Sequence, residues 1–125
     1  LKKIEDLHVL VVEDEAIIAM LIEDTLLDIG CKTIELVPSV ERALDFLSRT
    51  KPDFAILDLN LNGSRSYPIA DVLRRYGLPF VFLSGYGAGG LDSPYRDEAV
   101  LQKPFQQADL EMALKRAVLP DMKVS

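Results

Sequence analysis

The stretch His8-Val9-Leu10-Val11-Val12-Glu13-Asp14-Glu15 decides the architecture. Four aliphatic residues follow His8 without alternation, and the run ends abruptly in acids. A short, continuous, β-branched run is the signature of a strand covered on both faces, as in a parallel sheet flanked by helices. The sequence on its C-terminal side agrees. Ala16–Ile29 carries Ile17, Leu21, Ile22, Leu26 and Ile29 at helical spacing, a stripe expected to be mostly core, and Gly30 stands just past its end as a stop.

The same alternation of short runs and helical patterns continues along the chain. Lys32–Val37 reads as a second strand, and Pro38-Ser39 opens a helix with Ser39 as N-cap and Val40, Ala43, Leu44 and Leu47 facing inward. Phe54-Ala55-Ile56-Leu57 is a third strand ending at Asp58, followed by a turn at Leu61-Asn62-Gly63-Ser64. Ser66 and Pro68 mark a helix start; Ile69, Val72, Leu73 and Tyr76 give it an apolar side and Gly77 ends it. Phe80–Leu83 is the fourth strand, Ala99-Val100-Leu101 the fifth, and Gln107–Val118 the last helix, with Leu110, Ala113, Leu114 and Ala117 apolar. Between the last two strands, Ser84–Asp97 holds Gly85, Gly87, Gly89, Gly90 and Pro94. Each interior Gly costs about 1 kcal/mol relative to Ala in a helix, so the fourth helix is expected to be short or replaced by a Gly-rich loop. Crossovers of this length require parallel strands with right-handed connections. The fold class is therefore α/β, a doubly wound five-stranded parallel sheet, and ligands belong beyond the C-terminal ends of its strands.

Composition narrows the function. The 125 residues suit one domain, expected to span 1–125 with a core at about 7–118 and short tails. One cysteine, Cys31, excludes a disulfide framework within the chain and any multi-cysteine zinc site, and one histidine, His8, excludes a histidine-rich metal cluster. Fourteen basic against twenty acidic residues give a net charge of −6, the wrong sign for the basic footprint of a nucleic-acid binder. No apolar stretch reaches the length of a membrane span, and Leu1–Asp6 lacks the pattern of a signal peptide, so the cytoplasm is the expected location. With no effector region in the sequence, output is expected to pass through protein contacts or a further domain.

Each expected strand except the second ends in a chemically competent residue: Glu13-Asp14, Asp58, Ser84 and Lys103. A parallel sheet brings those ends to one edge. Three carboxylates crowded together repel, and at least one should show a raised pKa unless compensated. Lys103 offsets one negative charge and a divalent cation would offset the other two. Oxygen ligands with positions left for water or phosphate suit Mg²⁺. Acids, a lysine, a hydroxyl and a metal form a site for phosphoryl transfer, in which a carboxylate can itself be the nucleophile.

Val9-Leu10-Val11-Val12-Glu13-Asp14-Glu15, Ala55-Ile56-Leu57-Asp58-Leu59-Asn60-Leu61, Phe82-Leu83-Ser84-Gly85 and Leu101-Gln102-Lys103-Pro104-Phe105 together resemble the receiver domains of bacterial two-component response regulators. The resemblance implies a flavodoxin-like, receiver-type sheet. It implies that Asp58 is the phosphoacceptor, that Asp14, Asp58 and the backbone carbonyl of Asn60 bind Mg²⁺ (with Mn²⁺ as a substitute), and that Glu13 acts through a metal-bound water. Ser84 and Lys103 would contact the phosphoryl group. Phe82-Leu83-Ser84-Gly85-Tyr86-Gly87 is similar to the FATGUY group of receivers, with Leu83 in place of Ala and Ser84 in place of Thr. That group is commonly paired with kinases of the HWE/HisKA2 type. The implied partners are thus a sensor histidine kinase or a phosphotransfer protein, together with an unidentified downstream protein. The implied domain catalyses only its own phosphorylation and dephosphorylation and is not an enzyme.

The resemblance has two departures. The place of the aromatic switch residue found in many receivers is held by Val100, and the Gly-rich segment replaces the usual fourth helix. Gly85–Asp97 is therefore expected to be mobile without phosphate and more ordered with it, which makes Ser84, Tyr86 and Val100 the expected switch and output region. Tyr86 either gates the site or packs on the fourth strand. The bland alternatives are an acidic turn at Glu13-Asp14, a cap at Asp58, a structural Ser84 and a surface Lys103. Two functional rivals are an aspartate-nucleophile phosphatase and a receiver-like domain that binds partners without phosphorylation. The first is disfavoured by Asn60, which stands where that chemistry wants an acid, and the second by the intact set of acids, Ser84 and Lys103.

Overall fold

A computed structural model describes residues 3–85 and 90–118. A 3-10 turn at Ile4–Asp6 leads into β1 (His8–Val12), α1 (Ala16–Ile29), β2 (Thr33–Val37), α2 (Val40–Arg49) and β3 (Phe54–Asp58). Then come a short hairpin of β4 (Asn60–Leu61) and β5 (Ser64–Arg65), α3 (Tyr67–Arg75), β6 (Phe80–Ser84), a 3-10 turn at Ser93–Tyr95, β7 (Val100–Gln102) and α4 (Gln107–Val118). The five strands expected from the sequence are β1, β2, β3, β6 and β7, with ends within a residue or two of their expected positions.

These five strands form one parallel sheet in the order β2-β1-β3-β6-β7. The order reverses between β1 and β3, so the switch point lies where the strands bearing Glu13-Asp14 and Asp58 run side by side. Alternate side chains of each strand feed opposite faces. Leu10, Val12, Ala55, Leu57 and Phe82 join Ala43, Phe46 and Leu47 of α2 and Ile69, Ala70 and Leu73 of α3 in one core. Val9, Val11, Ile56, Val81 and Leu83 join Ile22 and Leu26 of α1 and Leu110 and Leu114 of α4 in the other. β1, β3 and β6 are buried almost throughout, as unbroken apolar runs require, whereas β2 at the sheet edge alternates.

Local signals account for most element ends. Ser39 Oγ accepts the Arg42 N–H at 3.2 Å, capping α2. Gly30 has φ 121° and donates to the Leu26 and Leu27 carbonyls at the end of α1. Ser66 and Pro68 do open α3, but Ser66 makes no side-chain cap; its buried Oγ has no partner among the described residues.

The expected turn at Asn62-Gly63 closes a hairpin: with φ of 52° and 86°, both residues adopt the left-handed backbone that a tight turn needs, and β4 pairs with β5 across them. Two expectations need correction. Ile17 and Leu21 do not face the core; they are 75% and 59% exposed, because α1 buries Ala19, Ile22 and Leu26 instead. Tyr76 also lies outside, with the Lys51 ammonium 3.9 Å from its ring centroid. Both helices carry more apolar residues than one buried face can hold, and Ala19 and Ala70 are among those that are buried.

Between β6 and β7 the described residues include a 3-10 turn at Ser93–Tyr95, in line with a short or replaced fourth helix. Tyr86 lies outside the described residues.

Candidate functional site

The strand ends converge as parallel topology dictates. Glu13, Asp14 and Asp58 each offer a carboxylate oxygen, and these lie within 4.8 Å of one another. Register explains the meeting. Val12 pairs with Leu57, so the residues just after β1 stand beside Asp58 at the end of β3. Asp58 in turn pairs with Leu83, which leaves Ser84 next to it at the end of β6. Ser84 pairs with Gln102, which sets Lys103 at the mouth of the same edge, and the Lys103 N–H donates to the Ser84 carbonyl at 2.9 Å.

Lys103 Nζ donates to Asp58 Oδ2 at 3.1 Å and to Glu13 Oε1 at 3.4 Å. Burial works against its charged form, but the hydrogen bond and charge of Asp58, with help from Glu13, outweigh that and raise its pKa. Glu13 shows the opposite balance. Desolvation first, then the hydrogen bond and charge of Asp58, push its carboxyl from 4.5 up to about 8, against the Glu15 N–H that its Oε2 accepts. Without a cation the crowded acids therefore hold a proton at neutral pH, the outcome that crowding predicts.

Backbone donors orient the other two carboxylates. Asn60 N–H donates to Asp58 Oδ1 at 3.2 Å, and Asn62 N–H donates to Asp14 Oδ2 at 3.1 Å. The latter contact went unread in the sequence, although Asn62-Gly63 signals the hairpin that delivers it. Ser84 is buried and aligned with the edge, and the Lys103-Pro104 bond is cis. Val100, on the edge strand β7, pairs with Phe82 of β6 and is half-buried. The sequence-expected Glu13, Asp14, Asp58, Ser84 and Lys103 thus share one edge. A second group the sequence did not reveal, Tyr67, Asp71, Arg74 and Tyr95, gathers beside it on α3 and the β6–β7 connection.

The donor set fits a hard divalent cation: three carboxylate oxygens within 4.8 Å of one another, with three acids facing the one charge of Lys103, and a Glu13 carboxyl raised by burial and by Asp58. No helix among the described residues is long and apolar enough to cross a membrane.

Comparison with known proteins agrees with this geometry. SdrG from Sphingomonas melonis Fr1 superimposes with a TM-score of 0.77 at 40% identity, over 90% of this chain and 96% of that one. The BeF3-activated conformation of SdrG from Pseudomonas melonis Fr1 superimposes with a TM-score of 0.74 at 41% identity, over 86% of this chain and 92% of that one. Sensory transduction protein LytT of Bacillus anthracis is 31% identical over 88% of this chain. The chain spans about half the length of such curated relatives, 46% in the case of LytT. The response regulator receiver domain model matches residues 9–115, and with nearly the whole sheet inside that match the chain belongs to the receiver domains of two-component response regulators.

Proposed function

We propose that this receiver accepts a phosphoryl group on Asp58 from a sensor histidine kinase, of the HWE/HisKA2 type, or from a phosphotransfer protein, and signals through protein contacts in the cytoplasm. The observation that carries the reading is Lys103 Nζ within reach of both Asp58 and Glu13 at the mouth of a three-carboxylate cluster. We read residues 7–118 as one receiver core, and the family match over 9–115 supports that span.

The chemistry follows from the residues. A carboxylate oxygen of Asp58 attacks phosphorus as the bond from phosphorus to the donor breaks, and the electron pair leaves with the donor. The Asn60 N–H on Oδ1 and Lys103 on Oδ2 fix the plane of the attacking carboxylate. Lys103 then shifts its charge to the phosphoryl oxygens, and the Ser84 hydroxyl donates to another. Mg²⁺ or Mn²⁺ held by Asp14, Asp58 and the Asn60 carbonyl, with Glu13 through a water, would supply the countercharge that these oxygens need. The domain modifies itself and releases no external product, so it acts as a signalling module and not as an enzyme on other substrates.

The test is intact mass after incubation with Mg²⁺ and a small acyl phosphate. One phosphoryl group is expected on the wild type and none on Asp58→Asn, which keeps the shape and loses the anionic nucleophile. Equal labelling of the two would overturn the assignment.

A further inference from the structure

The described part of the connection between β6 and β7 holds the short 3-10 turn at Ser93–Tyr95 and is fastened to α3. The Tyr95 ring stacks on Tyr67 with centroids 3.9 Å apart and planes 1° from parallel. Tyr95 Oη donates to Asp71 Oδ1 at 2.7 Å, and Tyr67 Oη accepts the Asp92 N–H at 2.8 Å. Arg74 adds a hydrogen bond to the Pro94 carbonyl at 3.0 Å, an ion pair with Glu98, and a guanidinium 4.6 Å from the Tyr95 ring centroid. The hydrogen bond to Asp71 pushes the Tyr95 phenol up to about 12, so it stays a donor throughout the physiological range.

Both rings also touch the sheet. Tyr67 and Tyr95 meet Phe82 edge-on, with centroids 5.9 and 6.3 Å away. Phe82 is fully buried and stands two residues before Ser84, so the two side chains project to the same face of β6. Val100, the partner of Phe82 in register, packs with Tyr67 and Tyr95 against the same core. The aromatic ring that β7 lacks at Val100 is thus supplied to that region by the connection itself.

We propose that Tyr95 is the switch residue of this receiver: clamped by Tyr67 and Asp71 in the resting state, it is released when the site is phosphorylated. The proposal rests on Asp58 being the phosphoacceptor. A phosphoryl group on Asp58 draws the Ser84 hydroxyl and Lys103 toward itself, and these residues flank the clamped connection at either end. Movement of Ser84 carries the end of β6 and the Phe82 edge against which both tyrosines pack. Contacts made in the resting state and lost in the active one bias the equilibrium by their own strength.

The experiment uses the full chain and beryllofluoride with Mg²⁺ as the phosphoryl mimic, titrated by amide NMR. Tyr95→Phe keeps the stack and removes the Asp71 bond; Tyr67→Phe keeps the stack and removes the acceptor for the Asp92 N–H. Each loses one hydrogen bond specific to the resting state, so each should bind beryllofluoride about five-fold more tightly while melting at a lower temperature. Tyr76→Phe, outside the clamp, should bind as the wild type does. In the wild type, hydrogen exchange at the Asp92 amide should quicken when beryllofluoride binds. Unchanged or weaker binding by both clamp variants, or slower exchange at Asp92, overturns the proposal. Acyl phosphate labelling of the wild type separates the two readings. With Asp58 labelled, the affinities judge the clamp alone; without labelling, the phosphoacceptor reading fails and the switch falls with it.

Discussion

Replacing Glu13 with Gln should stabilise the metal-free protein, and more so as pH rises. Glu13 is 3% exposed, and its carboxyl is raised from 4.5 to about 8 by burial and by Asp58. The folded state thus keeps a proton that the unfolded chain releases above its own pKa. Stability is full below about pH 4.5 and is lost as pH rises toward about 8, beyond which both states are ionised and the loss is constant. At 1.36 kcal/mol per unit, the loss is on the order of 3 kcal/mol at pH 7 and about 5 kcal/mol above pH 8. Coulomb's law gives a comparable size: two charges within 4.8 Å repel by about 3 kcal/mol or more at an effective dielectric of about 20. Glutamine keeps the shape, accepts from the Glu15 N–H as Glu13 does, and donates to Asp58 without titrating. Urea unfolding in chelator, followed by circular dichroism because the chain has no tryptophan, should show the two proteins differing by an amount that grows by several kcal/mol between pH 5 and 8. Mg²⁺ added at pH 7 should release close to one proton from the wild type and almost none from Glu13→Gln. A difference in stability that stays flat across that pH range, or equal proton release, would refute the argument that burial and crowding hold Glu13 protonated.

Asp14→Ala should weaken Mg²⁺ binding more than Glu13→Ala, as measured by titration calorimetry, because Asp14 is read as a direct ligand and Glu13 as acting through water. Saturating Mg²⁺ should raise the melting temperature of the wild type, and a melting curve indifferent to Mg²⁺ would contradict a site of this charge. Phe82→Ala should cost roughly 3–5 kcal/mol in denaturant unfolding, since Phe82 is 0% exposed in the core that α2 and α3 cover. Ile17→Ser and Leu21→Ser should each change stability by less than about 0.5 kcal/mol, although both residues sit on the helical stripe that the sequence assigns to the core.

The sheet was legible because burial on both faces leaves unbroken apolar runs, and four of its five strands end in a residue that no core would choose. Parallel topology then converts positions 13, 14, 58, 84 and 103 into neighbours without any contact being known in advance. The faces of the helices were less legible. Periodicity says that Ile17, Leu21, Ile22 and Leu26 lie on one broad side of α1, but the angle at which α1 sits on the sheet decides which half is covered. The clamp was illegible for a different reason. Tyr67 and Tyr95 are far apart in sequence, in a helix start and a Gly- and Pro-rich connection, and their pairing depends on how that connection crosses α3. Low helix propensity leads the sequence to suggest a mobile Gly85–Asp97, whereas the side-chain contacts that fasten Asp92–Glu98 to α3 leave no trace in composition.

The contrast in stiffness around the site argues where its response must go. Asp58 ends a strand that is buried along all five residues between β1 and β6, and Ala55, Ile56 and Leu57 are each 0% exposed. A close-packed interior of this kind resists displacement. Glu13 and Asp14 follow β1, which is held on one side by β2 and on the other by β3. On the far side the support thins. β7 is an edge strand of three residues, of which Leu101 alone is buried, and it is followed directly by Lys103. If Asp58 is phosphorylated as proposed, new attraction between it and Ser84 or Lys103 should be met by motion on the β6–β7 side rather than by motion of Asp58. The connection joining those two strands would absorb that motion, and the contacts that would resist it run from Tyr67, Asp71 and Arg74 to residues 92–98. On the proposed reading, the strength of those contacts, rather than the strength of the core, should set how readily the receiver responds.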